Sequence, residues 1–237
     1  MRSSSCAFVV IAVALFAPLV LSATLALMAP RAALAPIATA AVAATIEGVV
    51  ALPPSVAAPV GKPRYSTAAT YTVGPQDPAA AVVYLEGDFP KTGGAPPAAA
   101  EMAQHAYQFA PGLLPIRTGT LVRFPNLDDE YHSVFSYSKT KRFDLGRYAK
   151  DETPAELTFD QPGVVRLYCE IHDHMRSVIV VLDTPYFQKT DARGHYRLTD
   201  LPAGRWVLKA WLEDDTVREQ RVELRDGSTL RVDFPVP

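Results

Sequence analysis

The sequence predicts an all-β protein. Three observations carry this. After residue 45 the apolar residues show almost no helical periodicity; short runs rich in β-branched and aromatic residues recur between Gly, Pro and Asp; and strong turn signals join the later runs. Many short strands at such spacing are the pattern of sandwiches and barrels.

In chain order, the expected strands are 46–52, 81–85, 120–124, 133–137, 156–159, 164–169 and 177–182, followed by 195–198, 205–211, 218–224 and 229–234. The Pro- and Ala-rich stretch 95–100 reads as a linker, and Pro185 marks a second boundary. A short helix over 99–104 is the one helical segment expected. Thr190-Asp191-Ala192-Arg193-Gly194 is a turn, with Gly194 free to take positive φ. Leu201-Pro202-Ala203-Gly204 and Arg225-Asp226-Gly227 are two more. Val222, Leu224, Leu230, Val232 and Phe234 alternate with polar residues, as half-buried antiparallel strands do.

The N-terminus belongs to another class. Arg2 precedes a stretch from Ala7 to Ala29 without a charged residue, and the first acid of the chain is Glu47. A basic start, an apolar block and an Ala-rich run reaching Ala44 read as a secretion signal. The block is also long enough to span a bilayer as an uncleaved anchor. Both readings put the folded part on the far side of a membrane, and residues 1–44 are set apart from the fold.

The chain has 23 basic and 25 acidic residues. Residues 1–44 contain Arg2 and Arg31 and no acid, so the remainder has 21 basic and 25 acidic residues and a net charge of −4. Nucleic-acid binding calls for a basic face, and none is expected here. No Gly-rich phosphate loop occurs.

The cysteines narrow the chemistry. Cys6 lies in the N-terminal segment, which leaves Cys169 as the one cysteine of the exported part. Exported proteins usually pair their cysteines. A lone one is a buried thiol, a reactive thiol or a metal ligand, and its neighbours decide between them. The run 164–169 is a strand ending at Cys169. Glu170-Ile171-His172-Asp173-His174-Met175 follows, and a new strand begins at Ser177. One short loop thus offers a thiolate, an imidazole three residues on and a thioether three beyond that. Upstream, Asn126-Leu127-Asp128-Asp129-Glu130-Tyr131 leads to His132 at the start of another strand. Two histidines and a cysteine with a weak axial methionine are the donor set of blue-copper electron-transfer sites. Thiolate and thioether favour the cuprous state, and imidazole suits both states.

Cys-x2-His-x2-Met between two strands, with a histidine 37 residues upstream, resembles the cupredoxin family, and the short ligand loop is similar to that of its amicyanin-like members. The resemblance covers about residues 99–183. It includes Phe109-Ala110-Pro111 through Leu114, Ile116 and Gly119, then Val122, Phe124 and Asn126, and Phe159-Asp160-Gln161-Pro162-Gly163 before the cysteine strand. Phe143-Asp144-Leu145-Gly146 resembles exported plastocyanin-like proteins associated with methylamine utilisation. The resemblance implies a Greek-key sandwich holding one mononuclear copper ion on His132, Cys169, His172 and Met175. It also implies one-electron exchange with a redox partner protein, and no catalysis. In many members the residue after the first histidine is asparagine. Here it is Ser133, which implies a different set of hydrogen bonds around the ligands.

The other histidines fit this picture. His174 follows His172 by two and is expected to point away, and His105 and His195 have no motif. Glu130 lies close to His132 and reads as a solvated acid rather than an extra ligand. A three-copper oxidase cluster needs about eight histidines; this chain has five. A dinuclear site with two bridging cysteines is excluded by Cys169 standing alone. A cysteine-protease reading has no support beyond the thiol itself. Copper delivery or storage remains the rival to electron transfer, and an adhesion protein with a degenerate site is the third reading.

The segment 190–208 resembles carboxypeptidase regulatory-like domains, which are small β-sandwiches. In that family two earlier strands precede this pattern, the first with a Gly-Val-Val type of start. Such strands stand far upstream here, as Ile46-Glu47-Gly48-Val49-Val50 and Ala81-Val82-Val83-Tyr84-Leu85. The expectation is one sandwich from 45–95 and 185–237 with the copper domain, 99–183, inserted. A plain tandem of two sandwiches is the alternative.

Overall fold

The computed structural model describes residues 43–54, 73, 77–89, 97–152 and 155–235. The chain divides into two compact units, 1–39 and 40–237, and every described residue belongs to the second. The export segment expected over 1–44 lies outside the described residues as far as residue 42, as do residues 95 and 96 of the expected linker.

All regular structure among the described residues is β, as expected. β1 (Ala44–Val49) and β2 (Ala81–Glu86) come first. A central block follows: β3 (Ala100–Glu101), β4 (Ala103–His105), β5 (Gln108–Ala110), β6 (Leu113–Arg117), β7 (Thr120–Phe124), β8 (His132–Tyr137), β9 (Arg142–Tyr148), β10 (Ala155–Phe159), β11 (Gly163–Tyr168) and β12 (Arg176–Leu182). The chain ends with β13 (Phe187–Lys189), β14 (His195–Leu201), β15 (Gly204–Leu212), β16 (Val217–Leu224) and β17 (Thr229–Arg231).

The helix expected over 99–104 is absent. Ala, Glu, Met and Gln are good helix formers, but tertiary pairing overrides that preference here. Ala100 and Glu101 run parallel to β7, Met102 is fully buried, and Ala103–His105 forms a hairpin with β5.

The strands form four sheets besides that hairpin. Two enclose the central core: β6-β12-β11-β8-β9 and β10-β7-β3. Between them lie Met102, Phe124, Phe159, Val165, Leu167, Ile179 and their neighbours, with Cys169 and Met175 at one end. The other two sheets are β14-β1-β17 and β13-β2-β15-β16, around Ile46, Val83, Leu85, Leu198, Leu208 and Phe234. Strands from before and after the central block therefore pair directly: β1 with β14 and β17, β2 with β13 and β15.

A third cluster joins the two sheet pairs, and strand periodicity explains it. On β2, Ala81, Val83 and Leu85 face one core while Val82 turns to the opposite side. On β15, Leu208, Ala210 and Leu212 face the same core, and Trp211 joins Val82. On β12, Ile179 and Val181 enter the central core, whereas Val178, Val180 and Leu182 meet Val82 and Trp211. Successive side chains of a strand point to opposite faces, so the continuous apolar run 178–182 marks a strand covered on both sides. The result is four sheets stacked around three cores. By contrast β16, at the edge of its sheet, alternates exposed Arg and Glu with Val222 and Leu224, and charge on an edge strand discourages pairing with other chains.

Gly194 takes φ +83°, as its turn predicts, and a Cβ there would run into the Val50 carbonyl oxygen. The turn thereby brings β14 against β1.

Candidate metal centre

The site is built at one end of the central sandwich, where two loops meet. The first runs from β7 to β8 and is held by Asn126, which is buried. Its Nδ2 donates to the carbonyls of Glu130 (2.8 Å) and Tyr148 (3.0 Å), and its Oδ1 accepts from the Asp128 amide (3.0 Å). This fixed loop delivers His132 as the first residue of β8. The second loop joins β11 to β12 and closes on itself: the Met175 amide donates to His172 O (3.0 Å) and the Cys169 amide to Met175 O (3.3 Å).

Three expected ligands converge. One donor atom each from His132, Cys169 and His172 lie within 4.8 Å of one another, and all three residues are buried. His132 Nδ1 stands 3.1 Å from His172 Nδ1, and His172 Nδ1 3.8 Å from Cys169 Sγ. Met175 is 1% exposed and belongs to the same apolar cluster as Cys169.

Two nitrogens 3.1 Å apart share at most one proton, and the surroundings indicate where lone pairs point. His132 Nε2 lies 2.9 Å from Asp128 Oδ2. The carboxylate accepts, so Nε2 carries a hydrogen and Nδ1 is the nitrogen turned toward His172 and the cluster. A carboxylate behind a ligand histidine sets the tautomer and raises ligand basicity. Burial pushes the Asp128 carboxyl up, but the Tyr107 amide, the His132 ring and the Ala106 amide outweigh it and hold it below its ordinary value.

The thiol is similarly prepared. Burial pushes Cys169 up, but hydrogen bonds from His132, His172 and the Ser133 amide overcome it and bring the thiol down to about 5. Thiolate is the form of cysteine that binds metals. Ser133 works from both of its groups. Its amide lies 3.5 Å and its Oγ 3.8 Å from Cys169 Sγ, and Oγ accepts the Glu170 amide at 2.8 Å. The hydroxyl thus ties β8 to the ligand loop.

Sequence reasoning missed Asp128 as the acid bound to His132, because Glu130 stands nearer in the chain. The side chain of Glu130 takes no part in the cluster, and only its backbone carbonyl is used, by Asn126. The i, i+4 spacing of Asp128 and His132 was the available signal. His174 stays out of the three-residue cluster but is not turned away from it: its ring centroid lies 6.1 Å from that of His172, and its Nε2 lies 2.8 Å from Tyr107 O. The side chains of His105 and His195 are mostly exposed. Two imidazole nitrogens and a thiolate, with a buried thioether nearby, fit a soft or borderline metal ion far better than a hard one.

No family model and no curated protein matches the chain. Among solved structures it is similar to a Cu-containing nitrite reductase from Thermus scotoductus SA-01, with 25% identity over 36% of this chain and a TM-score of 0.34. It spans 23% of the length of that reductase. A mutant of amicyanin in its Cu(I) form is similar at 20% identity over 35% of this chain and 82% of that one, TM-score 0.33. A purple cupredoxin from Nitrosopumilus maritimus is similar at 23% identity over 35% and 99%, TM-score 0.32.

Proposed function

We propose that the chain is an exported type 1 copper protein that carries one electron between redox partners. The observation that carries this reading is the buried convergence of His132, His172 and Cys169 donor atoms within 4.8 Å. His132 Nδ1, His172 Nδ1 and Cys169 Sγ would hold one copper ion, with the Met175 sulfur as a weak further donor. Copper, when bound, supplies a one-electron couple. The protein's part is to hold its donors still, so that little rearrangement accompanies the electron. The Asn126 and Ser133 hydrogen bonds serve this. The N-terminal sequence supports export, with membrane attachment only if that segment is retained. The charge of the remaining chain supports a protein redox partner and no nucleic acid.

The test is the visible spectrum of the Cu(II)-loaded protein, with an intense thiolate-to-copper band expected. Copper uptake without that band supports delivery instead, and no uptake rejects both. Met175→Leu is expected to keep copper and colour and to raise the reduction potential by about 59 mV or more, a tenfold change in equilibrium for one electron. Soft as a thioether is, losing any neutral donor costs the more highly charged cupric state more than the cuprous one. Voltammetry decides, and a lowered potential or loss of metal contradicts the weak-donor role.

We further infer that 45–95 and 185–237 make one scaffolding sandwich with 99–183 inserted. The β1–β14 and β2–β15 pairings support this. Residues 185–237 expressed alone are expected to stay unfolded, because they lack β1 and β2 from the middle of both sheets. A dispersed amide spectrum from that fragment favours a tandem.

A further inference from the structure

The β4–β5 hairpin turns through two residues of positive φ, Ala106 (51°) and Tyr107 (60°). Such two-residue turns favour Asn and Gly, because a bulky side chain is strained there. A tyrosine is therefore a poor choice for the turn itself. Its ring lies edge-on to both imidazoles at once, with centroids 5.8 Å from His132 and 5.4 Å from His172 and interplanar angles of 84°.

The turn is tethered on both sides. Asp128 accepts the Ala106 amide at 2.7 Å and the Tyr107 amide at 2.9 Å, with the same carboxylate that holds His132. The Tyr107 carbonyl accepts from His174 Nε2 at 2.8 Å, and His174 follows His172 by two residues. Each loop that supplies a histidine thus also grips the residue lying over it. Beneath it, His132 is 0% and His172 5% exposed.

We infer that Tyr107 is the cap of the metal site: its ring, latched through Asp128 and His174, closes the two histidines to outside ligands and so confines the metal to electron exchange. The inference rests on the metal reading of His132, Cys169 and His172. A site closed in this way offers no place for a small-molecule substrate to coordinate, and the metal leaves only when the hairpin lifts.

Tyr107→Gly separates the cap from the fold, because glycine suits the turn while the ring is lost. The full chain loaded with Cu(I) and mixed with excess bathocuproine disulfonate is expected to lose copper about tenfold faster or more in Tyr107→Gly, on the scale of losing an outer-shell partner. Tyr107→Phe, which keeps the ring, is expected to match the wild type. Azide added to the Cu(II) protein is expected to alter the spectrum of the Gly variant alone. A metal-free arm uses iodoacetamide: the Cys169 thiolate displaces iodide to form an S–C bond, followed by the mass of its peptide, and is expected to react faster in Tyr107→Gly. Equal copper-loss and alkylation rates in wild type and Gly variant overturn the cap, as does a Phe variant as open as the Gly one. A wild type that takes up no copper, yet whose Cys169 is protected by the ring, overturns the metal reading and leaves the cap supported.

Discussion

Replacing Cys169 by serine is expected to abolish the thiolate-to-copper band while leaving the fold in place. The substitution changes one buried atom in a residue 4% exposed, so packing is nearly conserved. The chemistry is not conserved. A serine oxygen is hard and stays protonated at neutral pH, whereas Cys169 is drawn down to about 5 by its hydrogen bonds and presents a soft anion. Copper(I) affinity is expected to fall by more than the about 10–100-fold that follows loss of an outer hydrogen-bond partner. Absorption and competition with a chelator measure both effects. An unchanged spectrum would mean that the ligand set has been wrongly assigned.

Trp211→Ala is expected to have the largest effect on stability. Trp211 is 4% exposed and packs in the cluster of Val82, Leu113, Val178, Val180 and Leu182 that lies between the two sheet pairs. Truncating a buried aromatic of this size costs about 3–5 kcal/mol. For a folded chain of this length that lowers the thermal midpoint by about 6–20 °C. The copper spectrum is expected to persist, because Ile179 and Val181, the β12 residues that enter the central core containing Cys169, lie on the opposite side of the strand from Val178 and Val180. A midpoint within about 2 °C of wild type, well below the range for a buried aromatic, would show that the cluster contributes little.

The strands with alternating or continuous apolar patterns were legible because burial imposes those patterns directly. The run 177–182 is an example: its lack of alternation was visible, but that its second face would meet Trp211 was not, since periodicity does not say what covers a face. The same limit hid β9. Arg142 to Tyr148 alternates polar Arg142, Asp144 and Gly146 with Phe143 and Leu145, yet it was not among the expected strands. The spatial grouping of His132, Cys169 and His172 was legible because residue types able to bind metals stood at telling spacings. Asp128, Ser133 and Tyr107 were not, because their roles depend on hydrogen bonds and ring contacts across loops. Nothing in Gln104-His105-Ala106-Tyr107 suggests a turn, since neither central residue is one that favours positive φ. The false helix over 99–104 has the same origin, a local preference overruled by distant partners.

The pairing of β2 with β13 sets an order on folding. Tyr84 and Phe187 are register partners 103 residues apart, and Thr45 and Thr229 are 184 apart. Closing a chain of about a hundred residues costs about 3 kcal/mol more than closing a four-residue hairpin. That cost shrinks once the central strands have formed and drawn the two flanks together. The pairings of β1 and β2 are therefore expected to form last, and until they do these two strands carry unpaired edges, a stage exposed to misassembly. On this route the central sandwich is expected to set the pace of the whole molecule: a mutation that slows its folding lengthens that exposed interval even if it touches neither β1 nor β2.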